Sequence, residues 1–127
     1  MIQNKMIEIR KAIQEVLKEI HPRIFYESAP AKEPYPYIVF NFPNSVSNGI
    51  LENFVLEVDG WDAPADGSTL NLEALMGEVD KALQRRVIVI ADDLFLSLYR
   101  DGRETMTEND SRIKRRRLTY QARVYGE

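Results

Sequence analysis

The densest chemistry in this chain is cationic: Lys114, Arg115, Arg116 and Arg117 stand in an unbroken run. Adjacent cations suit phosphate, because each neutralised phosphate releases a condensed counterion and so drives binding to nucleic acid. In a strand, however, successive side chains point to opposite faces, so the run divides and forms no single patch. No aromatic residue is interleaved to stack a base, apart from Tyr120 on the core side. Lysine and arginine also keep strands solvated and apart. Solvation or pairing with another subunit is therefore the preferred reading of Arg115, Arg117 and the more distant Arg123, ahead of nucleic-acid contact.

The acidic groups offer less. Asp92-Asp93 are adjacent, so on a strand they diverge and make a poor two-carboxylate site. They read as a turn before Leu94, with an acidic contribution to a subunit interface. Asp59, Asp62 and Asp66 could offer oxygens to a hard cation, but their spacing is not that of a calcium loop. His21 is the single histidine, and there is no cysteine. A relay of nucleophile, base and orienting group has His21 as its only candidate imidazole, and a Cys- or His-built zinc site is excluded. His21 precedes Pro22 at a helix end, where a charged imidazole would favour the helix C-terminus. No GxGxxG, P-loop or GxSxG occurs. The expectation is a protein with no catalytic residue, no metal and no cofactor. Tyr35, Tyr37 and Trp61 lie near loop borders and either close the core or anchor an interface, since aromatic residues and arginine are enriched at binding hot spots.

The scaffold that must position these groups is small. With 127 residues, 44% apolar and 29% charged, the chain fits one soluble domain over residues 1–127. The net charge of −3 is uneven. Residues 1–110 carry 11 Lys and Arg against 19 Asp and Glu, a net −8; residues 111–127 carry six against one, a net +5. An acidic body with a basic end can meet an acidic partner or another copy of itself. An overall pI near 5.3 argues against a nucleic-acid-binding domain. Apolar runs fall far short of the roughly 20 residues that a membrane helix needs, and Asn4, Lys5, Glu8 and Arg10 break up the N-terminus. No membrane contact is expected, and the cytoplasm is the expected compartment.

Ile2, Met6, Ile9, Ile13, Val16 and Ile20 recur at spacings of 4 and 3, with Leu17 widening the stripe, which predicts a core-facing helix that ends at His21-Pro22. Arg23 to Tyr26 reads as a short strand, Ser28 to Pro36 as a proline-fixed loop, and Tyr37 to Phe42 as a strand in which Pro43 marks an edge, a bulge or the end. Asn48-Gly49 predicts a hairpin turn into a strand from Ile50 to about Trp61, with Phe54, Leu56 and Val58 facing inward. Ser68 or Thr69 can cap a second helix to about Arg85, carried by Leu72, Leu75, Met76, Val79 and Leu83, with Gly77 permitting close packing on the sheet. Val87 to Ile90 is apolar throughout and reads as a strand buried on both faces. Phe95 to Arg100 alternates, Asp101 to Ser111 reads as a long polar hairpin loop, and Arg112 to Tyr125 is the last strand, with Leu118, Tyr120, Ala122 and Val124 inside. The order α-β-β-β-α-β-β-β gives an α+β domain, a mostly antiparallel sheet with two helices packed on one face.

The order of these features resembles the tail-completion, or tail-terminator, proteins of long-tailed bacteriophages and prophages. The resemblance covers nearly the whole chain. It rests on a leading helix into Arg23-Ile24-Phe25-Tyr26, then Ala29-Pro30, and the strand Tyr35-Pro36-Tyr37-Ile38-Val39-Phe40, which looks like the family's "PYVVF". It continues through a strand ending in Val58-Asp59-Gly60-Trp61, a helix of the Leu72…Leu83 type, and two last strands flanking a polar loop, the final one rich in arginine and tyrosine. The Arg115-Arg116-Arg117 run and the Asp92-Asp93 pair depart from the pattern.

The resemblance implies a structural role without catalysis. Such proteins assemble as a homo-oligomeric ring, a hexamer, on the finished end of the tail tube. The ring stops tube growth and presents a surface to the head connector protein. DNA then passes through its channel without sequence-specific binding. It implies assembly in the bacterial host cytoplasm and a final place in the virion tail. Two alternatives stand beside it: a neck or head-completion connector protein, and a small nucleic-acid-binding module using the basic last strand. In the ring reading, the candidate subunit interface comprises Arg115, Arg117, Arg123, Tyr35, Trp61, Asp92 and Asp93.

Overall fold

The computed structural model describes residues 2–47 and 52–126, and side chains over 5–45 and 52–126. The Asn48-Gly49 turn lies outside the described residues. Helix α1 spans Ile2–Lys18. Its apolar stripe buries Ile9, Ile13, Val16 and Leu17, with Met6 and Ile20 packed at the margin. Strand β1 is Ile24–Tyr26, β2 Tyr37–Ser47 and β3 Glu52–Asp62. Helix α2 follows at Leu70–Leu83, then β4 at Val87–Ala91, β5 at Leu94–Met106 and β6 at Lys114–Gly126. The order and the α+β class are those read from the sequence.

The six strands form one sheet in the order β1-β2-β3-β6-β5-β4. All neighbours are antiparallel except β1, which runs parallel to β2. Strand alternation decides what each face holds. Ile38, Phe40, Leu56, Val58, Leu96, Leu98, Leu118, Tyr120, Ala122 and Val124 all point to one side, where α1 and α2 cover them. At about 25 cal/mol per Å² this single apolar layer is the main force holding helices to sheet. Among the described residues, no helix or further strand covers the other side of the sheet.

Pro43 sits inside β2, at a register shift between Asn41 and Asn44, so it bulges the strand rather than ending it. Thr69 is the N-cap residue of α2, but its side chain makes no capping bond. Ser68 accepts the Leu70 N–H at 3.3 Å instead.

Three readings need correction. Residues 101–106 are not loop: β5 continues to Met106, paired with β6 as far as Arg115. Its polar residues are tolerated because charged groups meet them on both sides, Arg103 reaching Glu73 of α2 at 3.1 Å and Glu104 standing opposite Arg117. Strand β4 is not buried on both faces: it is an outer edge strand, and Val87 and Val89 are 57% and 72% exposed. Gly77 has open space where its Cβ would stand, so close packing does not explain it. The close approach is at Gly60 on β3, where a Cβ would collide with the Met76 sulfur and sit 3.1 Å from Leu72 Cδ1.

One polar tie lies within the core. The Tyr120 hydroxyl donates to Asp80 of α2 at 2.7 Å, and Asp80 also takes Arg100 at 2.7 Å. Burial and the neighbouring carboxylate push the Tyr120 phenol well above its ordinary range, so it remains a donor.

Candidate assembly surface

Residues 115, 117, 119, 121 and 123 of β6 alternate outward from the buried Leu118–Val124 series, and so lie on the uncovered face. The strand register then sets their neighbours: Arg115 opposes Trp61, and Arg117 opposes Asp59. Asp59 is only 6% exposed. Its Oδ2 accepts from Arg115 Nε at 3.0 Å, Arg115 Nη2 at 2.6 Å and Arg117 Nη2 at 3.1 Å. Its Oδ1 accepts from Arg117 Nε at 2.8 Å. Glu108 lies 3.2 Å from Arg115, and Glu57 3.3 Å from Arg117. The hydrogen bonds to Asp59 raise the Arg117 pKa further, so its charge is permanent. Arg116, on the helix side, pairs with Glu73 at 2.9 Å. The split of the cationic run across two faces is as the alternation requires, but each of these arginines finds its carboxylate within the chain.

An aromatic ladder extends the cluster. The Arg115 guanidinium sits over Trp61 at 4.5 Å. Trp61 stacks on Tyr37 at 6.1 Å, and Tyr37 on Tyr35 at 5.3 Å. A hollow of about 240 Å³ opens beside it, lined by Tyr37, Asp59, Trp61, Arg115 and Arg117 among others. The buried Trp61 Nε1 has no acceptor among the described residues.

The same face changes character toward β4. Phe95 stacks on Tyr125 at 4.9 Å, and Arg123 lies 5.9 Å over Tyr99, which is 49% exposed. Arg123 makes no ion pair among the described residues. The structure therefore gathers Tyr35, Trp61, Arg115 and Arg117 into one cluster and puts Arg123 on the same face but with different neighbours. Asp92 and Asp93 form the β4–β5 turn, apart from the arginine cluster. Sequence reasoning missed Asp59 as the hub, along with Phe95, Tyr99 and Val89 as exposed apolar groups; the alternation of β5 carried the signal for Phe95 and Tyr99, whereas the unbroken apolar run of β4 carried none for Val89.

The other chemical candidates have local roles. Asp62 Oδ1 accepts the Ala63 N–H at 2.8 Å, and Asp66 Oδ1 the Ser68 N–H at 2.9 Å. Among the described residues no group of three or more His, Cys, Asp or Glu is placed to hold a metal. His21 does not act as a cation at the helix end: Nδ1 accepts the Arg23 N–H at 3.1 Å. Burial, followed by the charge of Arg23, lowers its pKa.

The sheet thus carries helices on one side and an ion-paired, aromatic surface on the other. Residues 8–125 match the model of a family described as Tail completion protein gp17. The chain belongs to that family and is a structural virion protein of tail assembly, as the order of its sequence features suggests. A chain from the virion of a native gene transfer agent particle shares the fold, with a TM-score of 0.76 at 13% identity over 91% of this chain and 93% of that one. No curated protein sequence matches the chain.

Proposed function

We propose that this protein caps the growing end of a tail tube as a ring of identical subunits, a hexamer by the family resemblance. The cap stops tube growth and becomes the surface to which the head connector docks. Catalysis has no part in this reading. The chain assembles in the host cytoplasm and remains in the virion tail.

The observation that carries the proposal is the uncovered sheet face. A ring closes through a heterologous contact, one patch meeting a different patch on the next copy. The Tyr35–Tyr37–Trp61–Arg115 ladder supplies rigid aromatic anchors. Arg123, which makes no ion pair among the described residues, is available to pair across the contact. Arg115 and Arg117 shape the surface but are already neutralised by Asp59, Glu57 and Glu108. That neutralisation also disfavours the nucleic-acid reading, because paired guanidiniums release few counterions from DNA. DNA then crosses the ring without being gripped.

The test is co-sedimentation with assembled tail tubes. Wild-type protein is expected to pellet with the tubes at a low, fixed ratio to tube protein, and Arg123→Glu to remain in the supernatant. Binding along the whole tube length, or binding indifferent to Arg123→Glu and Tyr99→Glu together, would remove this face from the interface. Steeply salt-dependent binding to duplex DNA in the absence of tubes would favour the nucleic-acid module instead.

A further inference from the structure

The outer edge of β4 pairs with no strand among the described residues. Edge strands ordinarily carry lysine, proline or an inward charge to prevent association. Val87–Ala91 carries none of these, and its outward side chains Val87 and Val89 are 57% and 72% exposed. The charges lie immediately outside the strand. The local sequence is Arg85-Arg86-Val87-Ile88-Val89-Ile90-Ala91-Asp92-Asp93. Arg85 and Asp93 each stand four residues from Val89, and Arg86 and Asp92 each stand three. All four are exposed, and none makes an ion pair among the described residues. Such a segment is complementary to itself when reversed.

We propose that β4 is a self-pairing edge: two copies of this chain join β4 to β4, antiparallel about a two-fold axis at Val89. Arg85 and Arg86 of each copy then face Asp93 and Asp92 of the other. Val89 meets its own equivalent, and the edge backbone groups exchange hydrogen bonds. Parallel pairing would instead bring Arg85-Arg86 beside Arg85-Arg86, so charge fixes both direction and register. The groove between α1 and β4 reinforces this, since Glu8, Glu15 and Glu19 outnumber Lys11 on its helix wall and draw the partner's arginines. An isologous contact is complete at two copies. It is therefore separate from the ring contact proposed above, and it keeps an apolar edge covered in chains not yet on a tail.

Two measurements test the pairing. The first is light scattering behind size-exclusion chromatography over a concentration series. Wild-type chain is expected to approach twice 14.7 kDa, and R85D/R86D and D92R/D93R each to weaken dimerisation at least about tenfold. An equimolar mixture of the two variants is expected to return to the two-chain mass, because each restores what the other lacks. The second uses the absence of native cysteine. Across an antiparallel pair, equivalent Cα atoms stand about 4.5–5.5 Å apart, within disulfide reach. Oxidised Val89→Cys is expected to form a covalent dimer, and Tyr99→Cys on the same face to remain a single chain. The proposal is overturned if Val89→Cys does not cross-link, if the mixture stays at one chain mass, or if the wild-type associate is unchanged by both charge reversals.

Discussion

Asp59→Asn is the sharpest perturbation of the uncovered face. In the native chain one carboxylate accepts four N–H groups, three of them at Oδ2. Asparagine keeps a single acceptor oxygen, removes the charge, and turns an amide N–H toward at least one guanidinium. Stranding a fully buried charge costs about 3–5 kcal/mol. The two arginine side chains are 19% and 20% exposed, and Glu108 and Glu57 remain at 3.2 and 3.3 Å. Water and these residual partners reduce the loss, giving an expected cost of about 2–3 kcal/mol. At about 1.4 kcal/mol per tenfold, that shifts the folded-to-unfolded ratio by roughly 30- to 150-fold. Urea denaturation at one fixed protein concentration is the assay. With a slope of about 1.5–2 kcal/mol/M, the midpoint should fall by about 1–2 M while the slope is unchanged. A loss below about 0.5 kcal/mol, the level of an exposed ion pair, would refute the reasoning that Asp59 holds the arginines in place.

Tyr120→Phe removes the bond to Asp80 but leaves Arg100 on the carboxylate, so denaturation should show a loss of about 1–2 kcal/mol. Gly60→Val forces its side chain into the space of Met76 and Leu72, and a loss of about 1–3 kcal/mol is expected; combined with Met76→Ala it should cost less than the two changes summed. His21 is held below its ordinary pKa of 6.5, so its contribution is complete above pH 6.5 and declines as pH falls below that value. Denaturation midpoints at pH 7.5 and 5.5 should therefore diverge more for the native chain than for His21→Gln, and equal divergence would show that His21 contributes nothing.

Periodicity made most of the fold legible. The 4-and-3 spacing of α1 and the alternation of β3 and β6 name the buried side chains almost completely, because burial on one face leaves a regular mark. Strand β4 escaped because an unbroken apolar run looks the same at a covered centre and at an open edge; only the strand order separates them. Residues 101–106 escaped because their partners, Glu73 and Arg117, lie far away in sequence, and polarity without its partners reads as loop. The Asp59 hub was illegible for the same reason: it joins residues 56 and 58 positions apart, and only the β3–β6 register brings them together. Gly60 and Gly77 show the limit for glycine, since the residue type marks a close approach only when the opposing surface is known. Tyr35, Tyr37, Trp61 and Arg115 were each legible as residues of interest, but their stacking into one ladder depends on the β2–β3–β6 register.

In the proposed assembly this face closes a ring on the tail tube. Electron microscopy of tubes assembled with and without the protein tests it most directly. The expected result is a six-fold ring at one end of each tube, with tube growth halted, and uncapped, overlong tubes when Arg123→Glu replaces the native chain. Tubes that stop at the same length without the protein, or native protein bound with no ring at either end, would contradict the account.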